Sequence, residues 1–274
     1  MPGQQLFDVL SELEAGPPRC RLEEEYGAAL VVGAGRLAVN FVSTIDGVVS
    51  FGLDRDDSRA VGGGVPADRL LMAMLRAVAG VIVVGAGTLR ATLNHQWTPA
   101  ALAPERAGDL AELRAAAGLL TPAAPLLVVS AAGSLPADAD AIARPAVPVH
   151  VLTAAGLTAA GSQAAPSPGG SPEAVPAASV VAAATRLAGA GPVLCEGGPH
   201  LLGTLLAGSV PLELFLTIAP QLAGRGRGTD RRRSLVEGVA LPPQSQLGTL
   251  ASVRRAGDHL LLRYRIDAVG QSRG

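Results

Sequence analysis

Twice in this chain, a short apolar run ends in glycines and is followed by a helix-forming segment. The first run, 81–84, leads into the glycine turn 85–88, and the second, 192–196, leads into the glycine turn 197–199. Short runs that are apolar at nearly every position are typical of strands buried on both faces of a parallel sheet. The repeated order of strand, glycine turn and helix therefore predicts an α/β fold.

Other segments continue this alternation of strands and helices. Helical spacing and helix-start residues predict helices over 66–78, 104–117, 178–188 and 200–207. Apolar runs predict strands over 37–43, 126–130, 147–152 and 213–219. Two more strands, 250–255 and 259–266, flank a turn at 257–258. We therefore predict a mixed, mostly parallel sheet flanked by helices, with an antiparallel hairpin at the C-terminal end.

The length and composition are those of a packed globular protein. Of 274 residues, 49% are hydrophobic and 16% are charged, which is enough to build a sizeable core. We predict a single domain over 36–268, with an N-terminal extension over 1–35 packed on it. The segment 154–176 is rich in Ala, Pro, Ser and Gly, and it is predicted to be a flexible loop within that domain.

Charge and hydropathy exclude two classes of partner. The formal net charge is −1, and the densest basic run, 225–233, lacks interleaved aromatic residues, so a nucleic-acid partner is not expected. No window approaches the ~20 apolar residues of a membrane span. The N-terminal residues also lack the basic start and apolar centre of a secretory signal. We expect a cytoplasmic protein that acts on a small molecule.

The residue inventory excludes several catalytic groups. The chain contains no lysine, because all 22 of its Lys and Arg residues are arginine. A Schiff-base lysine and a Walker-type phosphate loop, which needs a lysine, are therefore excluded. The four histidines are far apart and the two cysteines form no CxxC pair, so no metal site is predicted. Cys195 is interpreted as a small buried residue on a strand.

The two glycine turns are candidates for binding a phosphate group. Glycine lets the backbone approach a ligand closely, and the N–H groups at a helix start attract an anion. Either turn alone is weak evidence, because such turns also form for geometric reasons. The first turn does not complete a GxGxxG fingerprint, because Arg90 occupies its sixth position.

Three parts of the sequence, taken in order, resemble the reductase family of riboflavin biosynthesis. They are the strand-turn 39–47, the pair of blocks 75–77 and 83–90, and the pair of blocks 194–203 and 216–220. Their order and spacing also match, and the resemblance extends over roughly 37–224. The resemblance implies a fold like that of dihydrofolate reductase, a homodimer, and NADPH as the cofactor.

The resemblance also implies roles for individual residues. The implied cofactor-binding residues are Gly85, Gly87, Thr88, Ser130, Glu196, Gly197 and Gly198. The implied substrate-binding residues are Asn40, Ser43 and Arg90, with Arg90 near a substrate phosphate. Asp46 is the carboxylate of the substrate-side motif, so we expect it to be catalytic and to steer protonation at the substrate nitrogen.

Two segments depart from the family pattern. The stretch 91–99 lacks the acidic and proline-containing element that usually follows the first glycine turn. It contains His95 and Trp97, which either offer a stacking surface to a ligand or pack the loop down. The residues 131–133 lack the arginine that often follows the serine, so NADH is an alternative to NADPH.

Three functions agree with these patterns. The resemblance implies a 5-amino-6-(5-phosphoribosylamino)uracil reductase, in which hydride reaches C1 of a ribosylamino-pyrimidine imine. The second function is reduction of another imine or of a dihydropterin, which the altered segment 91–99 permits. A non-catalytic nucleotide-binding protein that kept the fold is the third.

Overall fold

The computed structural model describes residues 6–13, 16–53, 57–160, 174–226, 230–242 and 247–268. The strands are β1 (Asp8–Glu12), β2 (Leu37–Thr44), β3 (Val48–Ser50), β4 (Val81–Gly85), β5 (Leu126–Val129), β6 (Val149–Thr153), β7 (Gly156–Ala159), β8 (Val193–Cys195), β9 (Leu212–Ala219), β10 (Arg233–Ser234), β11 (Gly248–Ala256) and β12 (His259–Ile266). The α-helices are α1 (Arg21–Tyr26), α2 (Asp57–Gly62), α3 (Pro66–Val78), α4 (Ala86–Ala91), α5 (Pro99–Leu102), α6 (Ala107–Ala116), α7 (Asp140–Ala143), α8 (Ala177–Ala188) and α9 (Pro199–Ala207). A single 3-10 turn, Pro104–Arg106, precedes α6.

One large sheet organises the fold. Within the described residues its ten strands lie in the order β1-β11-β12-β9-β2-β8-β4-β5-β6-β7. The central strands from β9 to β6 all pair in parallel, and the strands outside them pair antiparallel. The predicted mixed sheet is therefore confirmed, and so is the hairpin of β11 and β12, which turns at Gly257 with a φ of 58°.

The core lies in two layers, one on each face of this sheet. Successive side chains of a strand point to opposite faces. Ile82 and Val84 of β4 accordingly join the layer that contains α3 and α6, whereas Val81 and Val83 join the layer that contains α8 and α9. The apolar stripe predicted on the 66–78 helix packs into the first layer through residues such as Leu71.

The N-terminal segment joins the same sheet. Strand β1 pairs with β11, and the Arg254 guanidinium of β11 lies 3.6 Å from the ring centroid of Tyr26 in α1. Arg254 also donates a hydrogen bond to the Tyr26 carbonyl at 2.7 Å. The division into an extension over 1–35 and a domain over 36–268 stays a prediction.

The segment 154–176 differs from the predicted flexible loop. Its residues Gly156–Ala159 form β7, which pairs antiparallel with β6 and closes one edge of the sheet. The turn between the two strands is short enough for Thr153 to face Gly156 directly. Residues 161–173 of the predicted loop lie outside the described residues.

Two further observations concern the described part of the chain. No helix within it is long and apolar enough to cross a membrane. Cys195 is completely buried on β8, and burial raises the pKa of its thiol to about 12. A thiol in this environment is uncharged and unreactive, as expected of a small core residue.

Candidate functional site

A cavity of about 790 Å³ opens where β4 and β8 end. The two strands are parallel neighbours, so the turns that follow them meet at the same edge of the sheet. Ligands of open α/β sheets bind at this edge. The walls of the cavity come from β2, from α2 and α3, from the segment 91–97 and from the start of α9.

The two glycine turns contact one another at this cavity. The N–H group of Gly85 donates a hydrogen bond to the Gly197 carbonyl at 2.7 Å, and that of Glu196 donates to the Val83 carbonyl at 3.0 Å. A Cβ atom on Gly198 would lie 3.2 Å from the Thr88 hydroxyl. The peptide bond between Gly197 and Gly198 is cis. The turns therefore form one continuous backbone surface.

Glycine is needed here for space and for conformation. Gly197 has a φ of +91°, and a Cβ atom on it would lie 3.0 Å from the Phe41 ring. Gly87 lines the cavity, and a Cβ atom on it would meet nothing within 4 Å. That open space beside the start of α9, whose first N–H groups have no partner within the helix, suits a phosphate-bearing ligand.

Asn40 faces the cavity from the middle of the sheet. It lies on β2, between β9 and β8, and is 8% exposed. Because β2 is a central strand, Asn40 is not a tie at a sheet edge. No described residue forms a hydrogen bond with its side-chain amide, although polar groups buried to this degree usually have a partner. A ligand bound in the cavity could supply the missing hydrogen-bond partner of the Asn40 amide.

Three carboxylates line the described cavity, namely Asp57, Asp68 and Glu196. Asp57 accepts from the Phe51 N–H at 2.8 Å and Glu196 accepts from Arg76, which leaves Asp68 as the candidate proton donor. Asp68 lies in the first turn of α3, and burial raises the pKa of its carboxyl group, against the opposing effects of Thr217 and His259. A carboxyl group with a raised pKa keeps its proton to a higher pH than an exposed aspartate does. Arg59 and Arg69 line the same cavity, and Arg69 donates to the Leu102 carbonyl at 2.6 Å.

A buried ion pair stands behind the second glycine turn. Arg76 of α3 donates from Nε and Nη2 to the two carboxylate oxygens of Glu196, each at 2.7 Å. The Arg76 and Glu196 side chains are 1% and 5% exposed. Both oxygens of Glu196 are therefore occupied, and the residue that precedes Gly197 is fixed to α3.

The segment that carries His95 and Trp97 is held by the same arginine. Arg76 Nη1 lies 3.2 Å from the Gln96 carbonyl, and the Arg76 guanidinium lies 4.9 Å from the Trp97 ring centroid. His95 meets that ring edge to face, with centroids 5.0 Å apart. Trp97 is 2% exposed. Of the two alternatives, the structure therefore favours a side chain that packs the segment against the core, rather than one that offers an open stacking surface to a ligand.

Asp46 is engaged in a turn outside the cavity lining. Its Oδ1 accepts from the Thr44 hydroxyl at 2.6 Å and from the Ala223 N–H at 3.1 Å, and its Oδ2 accepts from the Gly224 N–H at 2.6 Å. These bonds, that of Thr44 first, lower the pKa of the Asp46 carboxyl to about 2. Such a group is a poor proton donor at neutral pH. Asp46 therefore connects this turn to residues 223–224 through its hydrogen bonds.

The low pKa of Asp46 predicts how stability depends on pH. A carboxyl whose pKa falls on folding adds stability above its unfolded pKa and loses it as pH falls through its folded pKa. The stability advantage of the wild type over Asp46→Asn should therefore shrink as pH falls from near 3.8 toward about 2. Urea unfolding of both proteins across this range measures it. An advantage that stays constant with pH would contradict this account.

A family model matches residues 36–256, and its description is the RibD C-terminal domain. The chain belongs to this family. Most of the described sheet lies inside the match, from β2 to the end of β11, and so do both glycine turns. The family expected from the sequence is therefore confirmed. No curated protein sequence matches the chain.

Solved structures share the RibD C-terminal domain fold. RibD from Acinetobacter baumannii superposes with a TM-score of 0.59 at 15% identity, covering 84% of this chain and 58% of that chain. A pyrimidine reductase-like protein from Corynebacterium diphtheriae gives a TM-score of 0.52 at 16% identity and covers 85% and 92%. This chain thus spans little more than half of the Acinetobacter protein. Likeness at these identities confirms the dihydrofolate reductase-like fold.

The cavity brings together about half of the site residues expected from the family resemblance. Six of them line it, namely Asn40, Gly85, Gly87, Thr88, Glu196 and Gly198. The expected residues outside its lining are Ser43, Asp46, Arg90, Ser130 and Gly197. Gly197 still contacts the lining through its hydrogen bond with Gly85.

Besides Asp46 and Gly197, three residues expected to contact a ligand lie outside the lining, namely Ser43, Arg90 and Ser130. Arg90 is exposed on α4 and does not line the cavity. Ser43 and Ser130 are 3% and 2% exposed. The Ser130 hydroxyl is buried with no partner among the described residues, while its N–H donates to the Leu152 carbonyl at 3.0 Å.

No functional role was predicted from the sequence for Asp68, Arg76 or Arg69. An arginine within an apolar helix, one turn before a buried strand, was a usable signal for Arg76. Its partner Glu196 is 120 residues away, so spacing gave no hint of the pair. Asp68 looked like an ordinary acidic residue in the first turn of a helix.

Proposed function

We propose that this chain is a nicotinamide-dependent reductase that reduces a ribosylamino-pyrimidine in its opened imine form. One observation carries the proposal: two glycine turns meet at a cavity whose other walls present Asn40 and the Asp68 carboxyl group. A cofactor and a small polar substrate can lie side by side in about 790 Å³. Family membership supports the same reaction class.

The glycine surface fits a dinucleotide. In the proposal, Gly85, Gly87 and Thr88 contact one part of NADPH, and Gly197 and Gly198 hold the pyrophosphate at the start of α9. Glu196 acts indirectly, because its carboxylate is used by Arg76. When bound, the cofactor supplies the hydride, and the chain supplies alignment, exclusion of water and a proton.

Asp68 replaces Asp46 in the proposed chemistry. Reduction of a C=N bond adds hydride to carbon and a proton to nitrogen, so a proton donor must reach the nitrogen. Burial keeps the pKa of Asp68 raised, whereas the hydrogen bonds of Asp46 keep its pKa low. Asp68 also lines the cavity and Asp46 does not. We assign Asp68 to hold that proton on its carboxyl oxygen.

The polar wall of the cavity supports a phosphorylated substrate. The Asn40 amide, which has no partner among the described residues, can both donate to and accept from a heterocycle or a sugar hydroxyl. Arg59 and Arg69 supply positive charge for a phosphate, the role that the sequence resemblance had given to Arg90. A homodimer and a preference for NADPH over NADH stay predictions.

Turnover of the ribosylamino-pyrimidine with NADPH tests the proposed function. The purified chain should oxidise NADPH when the pyrimidine is added, and the ribitylamino product should form in equal amount. Oxidation of NADPH with a dihydropterin but not with the pyrimidine would instead support the second function. Cofactor binding without turnover of either substrate would support a non-catalytic protein.

Replacing Gly87 by valine tests the cofactor surface. We expect Gly87→Val to weaken NADPH binding at least ~10-fold, because the new side chain fills space that the proposal gives to the ligand. The fold should be unaffected, because a Cβ atom at Gly87 meets nothing within 4 Å. Isothermal titration with NADPH measures the loss.

Gly108→Val is the matched control for this variant. Gly108 is also the second residue of a helix, and a Cβ atom there also meets nothing within 4 Å. It does not line the cavity. Equal NADPH affinities for Gly87→Val and Gly108→Val would refute the assignment of Gly87 to the cofactor.

A further inference from the structure

The imidazole of His95 is fixed at the cavity wall by a single charged partner. Its Nε2 lies 2.8 Å from Nη2 of Arg76. The neighbouring residue Gln96 anchors the segment, because its side-chain amide donates to the Arg144 carbonyl at 3.0 Å and its own carbonyl accepts from Arg76. His95 itself lines the cavity. The ring therefore presents a defined edge to a bound ligand.

The contact with Arg76 determines which ring nitrogen carries the proton. A guanidinium group only donates hydrogen bonds, so Nε2 of His95 must be the acceptor. Burial, and then the charge of Arg76, lower the pKa of His95 to about 3. The ring is thus neutral at ordinary pH, and its proton lies on Nδ1.

Nδ1–H of His95 is a donor without an acceptor in the described part of the chain. The indole Nε1–H of Trp97, which lines the same cavity, is buried and likewise has no acceptor among the described residues. Two neutral N–H donors thus occur two residues apart in one wall. The Trp97 donor is buried, and buried donors normally have a partner. His95 is half-buried and lines the cavity, so an acceptor on a bound ligand can reach its Nδ1–H.

We propose that Nδ1–H of His95 donates a hydrogen bond to a carbonyl oxygen of a neutral ring bound in the cavity. This inference rests on the proposed reductase function, which supplies such oxygens from two sources. The uracil ring of the substrate carries two carbonyl oxygens, and the carboxamide of the nicotinamide carries one. The contact makes His95 a specificity-determining residue in the segment that departs from the family pattern.

A carbonyl fits this position better than a phosphate does. The ring carries no charge, and the charge of Arg76 behind it is neutralised by Glu196 at 2.7 Å. Anions are best bound by charged donors. Besides Arg76, such donors on the described lining are Arg59 of α2, Arg69 of α3 and Arg233 of β10. The wall at His95 therefore selects for a neutral acceptor.

Two substitutions separate a ligand contact from a purely structural role. In His95→Asn, the amide N–H can take the place of Nδ1–H, but nothing replaces Nε2. In His95→Gln, the amide oxygen can take the place of Nε2 and accept from Arg76, but no donor replaces Nδ1. The two variants thus keep opposite halves of the ring's hydrogen bonding.

We expect His95→Gln to weaken ligand binding roughly 10- to 100-fold, because the ligand oxygen loses its donor. His95→Asn keeps a donor and should therefore lose less binding than His95→Gln. A raised KM for the pyrimidine with an unchanged NADPH affinity assigns the bond to the substrate. A weakened affinity for NADPH, but not for 2′-phospho-ADP-ribose, which lacks the nicotinamide, assigns it to the carboxamide. Both outcomes support the proposal.

The opposite ranking of the two variants in ligand affinity would overturn the proposal. If His95→Asn lost more binding than His95→Gln, the ring would serve only to hold Arg76. Unchanged binding in both variants would also overturn it. A wild type that neither binds NADPH nor turns over would instead refute the proposed function itself.

Nitrogen NMR of the wild type is a readout that needs no ligand. The charged groups that face the His95 ring are Arg76 and, behind it, Glu196. We expect a protonated Nδ1 and an unprotonated Nε2 throughout the neutral range. A ring protonated on Nε2 would contradict the donor assignment whatever the activity of the protein.

Discussion

Asp68→Asn should lower kcat by about 10²- to 10⁴-fold, the usual contribution of a positioned general acid. The substitution keeps the size of the side chain but removes the proton that we assign to the substrate nitrogen. NADPH affinity should be unchanged, because the glycine turns are not altered. Steady-state kinetics and a cofactor titration on the same protein measure both quantities.

Two controls distinguish this result from a general loss of structure. Burial raises the pKa of Asp68, so its ionised form costs stability at neutral pH, and Asp68→Asn should be at least as stable as the wild type. The activity of the wild type should fall as pH rises through this raised pKa, and Asp68→Asn should lack that decline. The groups that act on Asp68 are Thr217, His259 and Glu196.

Asp46→Asn serves as the matched comparison, since it removes the carboxylate that sequence reasoning favoured. It should keep most of its kcat, because Asp46 does not line the cavity. A large loss of kcat in Asp46→Asn, with Asp68→Asn unaffected, would restore the assignment made from sequence and reject ours.

Glu196→Ala should lower the free energy of unfolding by about 3–5 kcal/mol, the cost of leaving a buried charge without its partner. The Arg76 side chain is 1% exposed and would lose both of its bonds to the carboxylate. Urea unfolding of the wild type and the variant gives the difference directly.

The pair of Arg255 and Asp8 provides the control. Its side chains are 55% and 43% exposed, and an exposed ion pair contributes about 0–1 kcal/mol. Asp8→Asn should therefore change the free energy of unfolding very little. If Glu196→Ala cost no more than Asp8→Asn, the Arg76 pair would not be the buried anchor that we describe.

The fold was predictable because its signals are local. The apolar run before Gly85, the helical spacing after Pro66 and the turn at Gly257 each depend on neighbouring residues, and all three are present as predicted. Strand β7 was missed, because its composition of small residues is typical of a loop. Its pairing with β6 overrides that local preference.

The candidate site was only partly predictable, because much of it depends on contacts between distant segments. The Arg76 pair with Glu196 joins residues 120 positions apart, so neither residue indicates the other. The sequence around Asp46 fits both a turn and a catalytic motif. Its hydrogen bonds to residues 223 and 224, which favour the turn, exist only in the folded chain.

A titration of the unmodified protein with NADPH and with NADH tests the central claim most directly. We expect saturable binding of NADPH at one site per chain, and Gly108→Val should bind as tightly as the wild type. If neither nucleotide bound, the two glycine turns would serve the geometry of the backbone alone, and the reductase function would be contradicted.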